Sequence, residues 1–563
     1  MPPAVDDNYF DLGNHSRSIS TSSAIAQAWF DRGLAWCYGF NHEEAVRCFE
    51  KTLQHDPLCA MGYWGIAYAS GSFYNKPWEW YGDLERTQAV KTCHRHVQKA
   101  LELSSAATPL EAQLIAALCE KHAAAQADDL TELLQWEKNY SNRMRALQEN
   151  SPDDLDIICL TAESMMNLTP WKLWDIHRGI PASGALTEAS ITLLEQAFTL
   201  IEKKRLDPHP GILHFYIHAL EMSPRPEKAL PAANRLREIT TECGHLLHMA
   251  THIDLLCGQY LEAVEANHRA TSADLKYIAL RGKHEFYMIS CVHDFHSNMY
   301  AAMFAGQFAP AIQAADGIQS IIGDDMLRIE NRYLGSTLEG YFSSKVHVLI
   351  RFGRWQTIID EPLPANQALY PITTALLYYG KTIGHAALGD ISSARQCKSN
   401  FNRLHEAIPD WHIMANNPTT DILAVAAAMS EGELEYHAGN HDTGYAHLRE
   451  ACELSDRLAY SEPWPWMHPP RHALGALLLE RGHVEEAMQH YGDDLGINDT
   501  LPRCLQHRDN IWALHGYLEC LKRLGQSEGI EVFQQKLDHA IKFSDTSIES
   551  SCCCRKNLFD GAL

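Results

Sequence analysis

The sequence predicts an all-α protein assembled from repeated helix pairs, on three observations. Large and small side chains recur at the spacing of a roughly 34-residue helix–turn–helix unit. Helical periodicity continues between the clearest copies. Alternating polar and β-branched runs, the mark of half-buried strands, are scarce.

The first copy is AWFDRGLAWCYGFNHEEAVRCFEKTLQHDP, beginning at Ala28. In it Trp29, Gly33, Trp36, Ala45, Phe49 and Pro57 alternate bulk with small size. Small residues let two helices approach closely, and aromatic rings fill the space between pairs. One repeat further on, Tyr63 and Ala67 mark a degenerate second copy. Ala263 and Ala270 hold second-helix positions in GQYLEAVEANHRATSAD. Leu474, Gly475, Ala487 and Tyr491 mark another copy, and Trp512 with Gly516 the last. Between them the periodicity predicts helices over Ala185–Lys204, Thr373–Leu388 and Leu423–His437, with turns such as AGQF, ALGD and HAGN. The expected organisation is a flexible segment over 1–24, one helical-repeat solenoid over 25–540, and a flexible cysteine-containing tail over 541–563.

Several segments resemble a large group of bacterial and fungal tetratricopeptide-domain proteins, distantly similar to the tetratricopeptide repeat protein 38 family. They are GFNHEEAVRCFEKTLQHDPLCAMGYWGIAYASG, NLTPWKLWD, DPHPGILHFYIHALEMSPRPEKALPAANRLR, GHLLHMATHI and AYSEPWPWMHPPRHALGALLLERG, in that order. The resemblance covers roughly residues 25 to 530 and implies a tetratricopeptide-like solenoid. Most members of the group have no assigned activity, so it implies a fold more than a function.

Composition narrows the partners. Forty-seven Lys and Arg against 71 Asp and Glu leave a formal charge of −24. Such a surface repels phosphate backbones and anionic lipid, so neither nucleic acid nor membrane is expected as a partner. No basic and apolar leader and no long apolar run is visible, which predicts a soluble, cytoplasmic protein. The 16 cysteines, with no CxxC pair, are expected as reduced thiols. Cys552, Cys553 and Cys554 fall in the tail, expected to be frayed.

Histidine is the excess that needs a reason. Of 31 histidines, ten lie between His209 and His296, where uniform scatter would place about five. Their spacing is helical. His214 and His218 are four apart with Glu221 three further on, so the three share one helix face. His245, His248 and His252 follow one face of the next segment, and His293 and His296, with Asp294 between, a third.

Imidazole suits zinc and other divalent transition metals, and two histidines at i, i+4 can grip one ion. The sequence therefore offers His214, His218, His245, His248 and His252 as metal ligands, with Glu221, His293, His296 and Glu163 as catalytic candidates. The same histidines could instead cap, hydrogen-bond or pack, as His209 before Pro210 is expected to do. Glu163 is either a carboxylate behind the ligands or a solvated residue. Trp171 and Trp174 cover an aromatic ligand or pack between repeats. The proline-held loop with Trp464, Trp466 and His468 lines the groove or staples two helices. The CHRH run at Cys93–His96 is read as surface.

No phosphate loop, dinucleotide fingerprint, GxSxG elbow or HExxH motif is present, which removes support for nucleotide chemistry, serine hydrolysis and conventional zinc proteolysis. Two readings remain. One is a zinc-dependent lyase or hydrolase acting on a small-molecule carbonyl, similar in kind to the fungal cyclopenases of quinolone alkaloid biosynthesis. The other is a tetratricopeptide scaffold for a peptide or protein partner, with oligomeric state open.

Overall fold

A computed structural model describes residues 9–555. Helix follows helix from Ala24–Tyr38 to Ile530–Phe543, and among the described residues strands are confined to two short hairpins, Trp174–Asp175 with Ile180–Pro181 and Ile413–Met414 with Asn417–Pro418. The protein is all-α, built from tetratricopeptide-like helix pairs. The three intervening helices fall where periodicity put them, at Thr187–Lys204, Pro371–Ala387 and Thr419–His437.

Its contacts divide into two compact units, where the repeat pattern alone gives one run. The first comprises residues 1–253 and 269–291, the second 254–268 and 292–563. In the first, Ala24–Tyr38 packs on His42–His55, which packs on Ala60–Ala69. A Cβ added at Gly33 would lie 2.6 Å from the Phe49 ring, and one at Gly65 would lie 2.5 Å from it. One aromatic ring thus fills the gap left by two missing side chains on neighbouring helices. The second unit repeats the device in Pro470–Glu480, Val484–Asp494 and Ile511–Arg523, where a Cβ at Gly475 or Gly516 would overlap the Tyr491 ring. The large–small spacing of the sequence is therefore a packing rule.

The ends depart from expectation wherever they are described. In the first unit Tyr9 donates from its hydroxyl to Glu44 at 2.6 Å and accepts from Trp36 Nε1 at 2.8 Å, Phe10 is buried, and Arg17 pairs with Asp154 at 2.9 Å. This N-terminal stretch is packed because aromatic and charged side chains find buried partners. The tail is packed as well. Asp545 accepts from the free amides of Phe308 and Ala309 at 2.6 and 2.8 Å, capping the helix Phe308–Ile321, where orphan donors and the helix dipole favour a carboxylate. Ser551 meets the Tyr491 hydroxyl, Arg555 pairs with Glu519 at 2.8 Å, and Cys554 is buried. Residues 1–8 and 556–563 of the two predicted flexible segments lie outside the described residues. Cys93, read as surface, is buried beneath its helix while His94 and His96 are half-buried. Among the described residues no helix is long and apolar enough to cross a membrane.

Alanine in place of Gly33 should destabilise the fold. Higher helix propensity gains about 1 kcal/mol, but overpacking against Phe49 costs about 1–3 kcal/mol. The urea midpoint should fall, and Phe49→Leu in the same chain should restore part of it. An additive double-mutant cycle would show that ring and glycine are not packed as a unit.

Candidate metal centre

The centre is built in the first unit by Pro210–Glu221, Gly244–Cys257 and the turn after Ala24–Tyr38. Pro210–Glu221 is buried on every side, which explains its sequence PGILHFYIHALE, apolar all round apart from its histidines and last residue. His209 caps its start. His209 Nδ1 accepts from Ile212 N at 3.2 Å, so Nε2 carries the proton and donates to Asp156 Oδ1 at 3.1 Å. Asp156 also receives Tyr38 Oη at 2.6 Å, His15 Nε2 at 3.0 Å and Arg17 Nη1 at 3.0 Å. A carboxylate so fully engaged, guanidinium included, is a structural staple, and capping is the role expected of His209.

One turn deeper the chemistry changes. His214 Nδ1 lies 2.6 Å from the Tyr38 carbonyl oxygen, and His218 Nδ1 lies 2.8 Å from Glu221 Oε1. Both partners can only accept, so each Nδ1 is protonated and each Nε2 presents a lone pair. Neither Nε2 has a protein hydrogen-bond partner, and neither ring nitrogen of His245 has one. His214, His218 and His245 each bring a ring nitrogen within 4.8 Å of the others, and all three are buried. Burial, reinforced by the neighbouring imidazoles, pushes His214 and His245 well below the usual histidine range. It lowers His218 too, with Glu221 partly opposing. They are neutral imidazoles, the ligating form.

Behind them runs a second row. Glu221 accepts from His218 through Oε1 and from His252 Nδ1 through Oε2 at 2.5 Å. Burial raises the Glu221 carboxyl, but the two imidazoles and their hydrogen bonds outweigh it and hold the group below the ordinary carboxylate range. His252 Nε2 lies 2.7 Å from His248 Nε2, and Thr251 Oγ1 lies 3.3 Å from His248 Nδ1. The sequence offers Glu221 as a proton carrier. Its two oxygens are both taken by Nδ1 donors instead, the arrangement in which a carboxylate fixes the orientation of a ligating histidine.

Aromatic rings close the cluster. Phe40 lies 4.4 Å from the His214 ring and stacks on His218 and His245 at 5.7 and 5.3 Å. Tyr74 lies 4.9 Å from His218, and half-buried Trp171 meets His218 edge-on at 6.4 Å with Trp80 stacked behind it. Phe40 and Trp171 both adopt the left-handed backbone, at φ 56° and 62°, a conformation that costs a side-chain-bearing residue about 1–2 kcal/mol. Tyr38, Phe40 and Tyr74 are absent from the sequence reading. The available signal is GFN after the first helix, where the left-handed position falls on the residue after glycine.

Glu163 and Trp174 make other contacts. Glu163 is buried rather than solvated, receives the Tyr68 hydroxyl and Asn167 Nδ2 at 3.4 Å, and is raised by burial. It touches none of the five predicted ligands among its hydrogen bonds. Trp174 donates to the Ala219 carbonyl at 2.8 Å. His293 and His296 are part of the second unit, 6.5 and 4.8 Å from the Tyr341 ring.

The chain matches no family model and no curated protein. Among solved structures it is similar to a human IFIT1 dimer with m7Gppp-AAAA, at 9% identity over 93% of this chain and 91% of that one, with a TM-score of 0.31. It is similar to a Rap protein complexed with competence and sporulation factor, at 12% identity over 63% and 93% of the two chains and a TM-score of 0.29. Yeast Tom70 gives 12% identity over 91% and 99%, with a TM-score of 0.29. At these values nothing about ligands or partners passes from them to this chain. The class is set by the chain's own residues: an all-α helical-repeat protein enclosing a polyhistidine cluster.

Acid should expose the burial of its histidines. His42, His296 and His347 are each lowered to about 3, burial being the largest cause. Each stays neutral when folded and takes a proton on unfolding. Stability is therefore complete above about pH 6.5 and falls as pH drops toward the folded values, by about 1.4 kcal/mol per histidine per pH unit. Urea midpoints should agree at pH 7.5 and 7.0 and drop at pH 5.5; equal midpoints at 7.5 and 5.5 would contradict the burial.

Proposed function

We propose that this chain is a metal-dependent protein whose centre, formed by His214, His218 and His245, acts on the carbonyl of a small molecule. One observation carries the reading: three buried neutral imidazoles each bring a ring nitrogen within 4.8 Å of the others, and His214 and His218, with Nδ1 committed, have no protein partner at Nε2. Three histidines without a fourth protein ligand suit a catalytic zinc, whereas structural zinc sites favour closed, Cys-rich shells. Zinc or another divalent transition metal supplies Lewis-acid polarisation of a carbonyl oxygen when bound.

The chain's own residues do the rest. Glu221 and the Tyr38 carbonyl hold the His218 and His214 rings with Nε2 available. The Glu221 charge, shared between two imidazoles, is compensated when a cation sits on His218. A single proton is held between His252 Nε2 and His248 Nε2, and Thr251 Oγ1 stands at the far nitrogen of His248, so this row can hold or pass a proton while Glu221 stays ionised. Phe40, Tyr74 and Trp171 exclude water and present ring faces to a flat substrate.

Elemental analysis of the purified protein tests this directly. About one equivalent of metal is expected, lost in His214→Ala, His218→Ala and His245→Ala with helical content retained. Glu221→Gln should weaken metal binding by about 10–100-fold. Sub-stoichiometric metal indifferent to all four changes would sink the reading. Turnover is then assayed on amides, lactams and a benzodiazepinedione, the last addressing the cyclopenase type.

A second reading has its own observation. In the second unit a cavity of about 480 Å³ is lined by Tyr260, Phe304, Val532 and Phe543, and Val532 and Phe543 are exposed there. A helical scaffold holding a peptide or protein partner would use such a groove. Metal analysis separates the two readings, because a scaffold needs none.

A further inference from the structure

Residues 9–17 lie along the helix Ala24–Tyr38 as a strap, and the first unit holds that strap at both ends and in the middle. Tyr9 donates to Glu44 at 2.6 Å. The Asp11 amide donates to Glu242 Oε2 at 2.7 Å, and its carbonyl accepts from Glu242 N at 3.0 Å and from Thr241 Oγ1 at 2.7 Å. Ser16 Oγ donates to Asp31 at 2.7 Å, and Arg17 pairs with Asp154 at 2.9 Å. Between these anchors Gly13 turns at φ 85°, where a Cβ would lie 2.7 Å from the Ile239 carbonyl oxygen. Strap and helix enclose a cavity of about 420 Å³. Walls pinned by so many bonds form a pocket before any ligand arrives.

Arg32 lines that cavity and differs from the arginines around it. Arg17 has Asp154 and Asp156, Arg47 has Glu44 and Glu285, and Arg281 has Glu44. Arg32 makes no hydrogen bond and no ion pair among the described residues, and its Nη1 is buried without a protein partner. The neighbouring carboxylates are engaged elsewhere. Asp31, next to it in sequence, accepts from Ser16 Oγ, from Arg17 N at 3.1 Å and from Gln27 Nε2 at 2.9 Å. Glu44 accepts from Tyr9, Arg47 and Arg281. Two rings position Arg32 instead, its guanidinium carbon lying 4.5 Å from the centre of Tyr9 and 4.6 Å from that of Trp29. A guanidinium placed by ring faces keeps its N–H fork for a partner in the cavity.

The rest of the lining supplies the other sign and an apolar wall. Asp11 is exposed and accepts from Gly13 N at 3.1 Å through Oδ1, so Oδ2 has no hydrogen-bond partner among the described residues. Phe10 and Ala35 are buried beside it.

We propose that this cavity binds a free α-amino acid with an apolar side chain, its carboxylate on the Arg32 fork, its ammonium at Asp11 and its side chain against Phe10 and Ala35. The charges select the class. A phosphate dianion would meet Asp11 and Asp31 with only Arg32 to neutralise it, and a plain amine would leave Arg32 unmatched. A zwitterion answers both signs, and a planar carboxylate matches the guanidinium with two parallel hydrogen bonds. The volume falls within the roughly 300–1,000 Å³ of small-molecule sites. None of His214, His218 and His245 takes part, so the inference is independent of the metal centre.

Calorimetric titration of L-leucine and of L-phenylalanine into the full-length protein tests this, with 3-phenylpropionate, phenethylamine and inorganic phosphate as controls. Saturable binding of at least one amino acid to one site is expected, about tenfold or more tighter than any control. Arg32→Lys keeps a charge over the rings but loses the fork, and should weaken binding about tenfold or more with helical content retained. Asp11→Asn, at an exposed position, should weaken the amino acid and not 3-phenylpropionate. His218→Ala should bind as the parent does, which separates this site from chelation at the metal centre. No saturable binding of either amino acid, a control bound as tightly, indifference to Arg32→Lys or to Asp11→Asn, or loss of binding in His218→Ala would each overturn the proposal.

Discussion

The Glu221 carboxylate, shared between His218 Nδ1 and His252 Nδ1, is the interaction on which the centre depends. A charge with no exposure is tolerable only when its lone pairs are met, and here two imidazoles meet them. In doing so it commits both rings: each must donate from Nδ1, and each must turn its other nitrogen away. For His218 that nitrogen has no protein partner; for His252 it faces His248. One acid thus sets the orientation of two imidazoles that face different neighbours in the cluster. It also fixes the register of Pro210–Glu221 against Gly244–Cys257, because its two oxygens reach one helix each. The i, i+3 step from His218 to Glu221 is the shortest that puts both on one helix face.

Much of the fold was legible because the repeat's packing rule is written as residue size. Phe49 between Gly33 and Gly65, and Tyr491 between Gly475 and Gly516, are large–small pairs that spacing alone reveals. The ends were not legible for the same reason. Asp545 capping the helix at Phe308, or Ser551 reaching Tyr491, is a single long-range hydrogen bond with no period to announce it. Composition near a terminus reads as disorder whenever its partners lie outside the local sequence. The division into two units was equally silent, since helix follows helix across it without a change in composition.

For the cluster, helical spacing pointed to the two helices and the five histidines on them, while what each imidazole touches depends on partners that spacing does not encode. Nothing in the sequence says that the Tyr38 carbonyl receives His214, or that Glu221 receives His252 as well as His218. The histidine count misled in one respect. The excess between His209 and His296 draws attention away from His347, His468, His472 and His507, which are mostly or wholly interior and divide sharply by chemistry. Those around Asp494 are fully bonded, and those around Trp466 are not. A buried histidine declares its purpose through what it touches.

The aromatic residues at the cluster show what the turns there are for. Five non-glycine residues among those described have left-handed backbones, and the two aromatic ones, Phe40 and Trp171, both have rings near His218. Glycine would make either turn without strain, and Gly39 stands beside Phe40. The strain is therefore tied to what glycine lacks, a ring. Over His214, His218 and His245 the Phe40 ring packs against imidazoles that are already lowered by burial. The backbone thus bears a small cost in two turns that set aromatic rings against the imidazoles beside one buried anion.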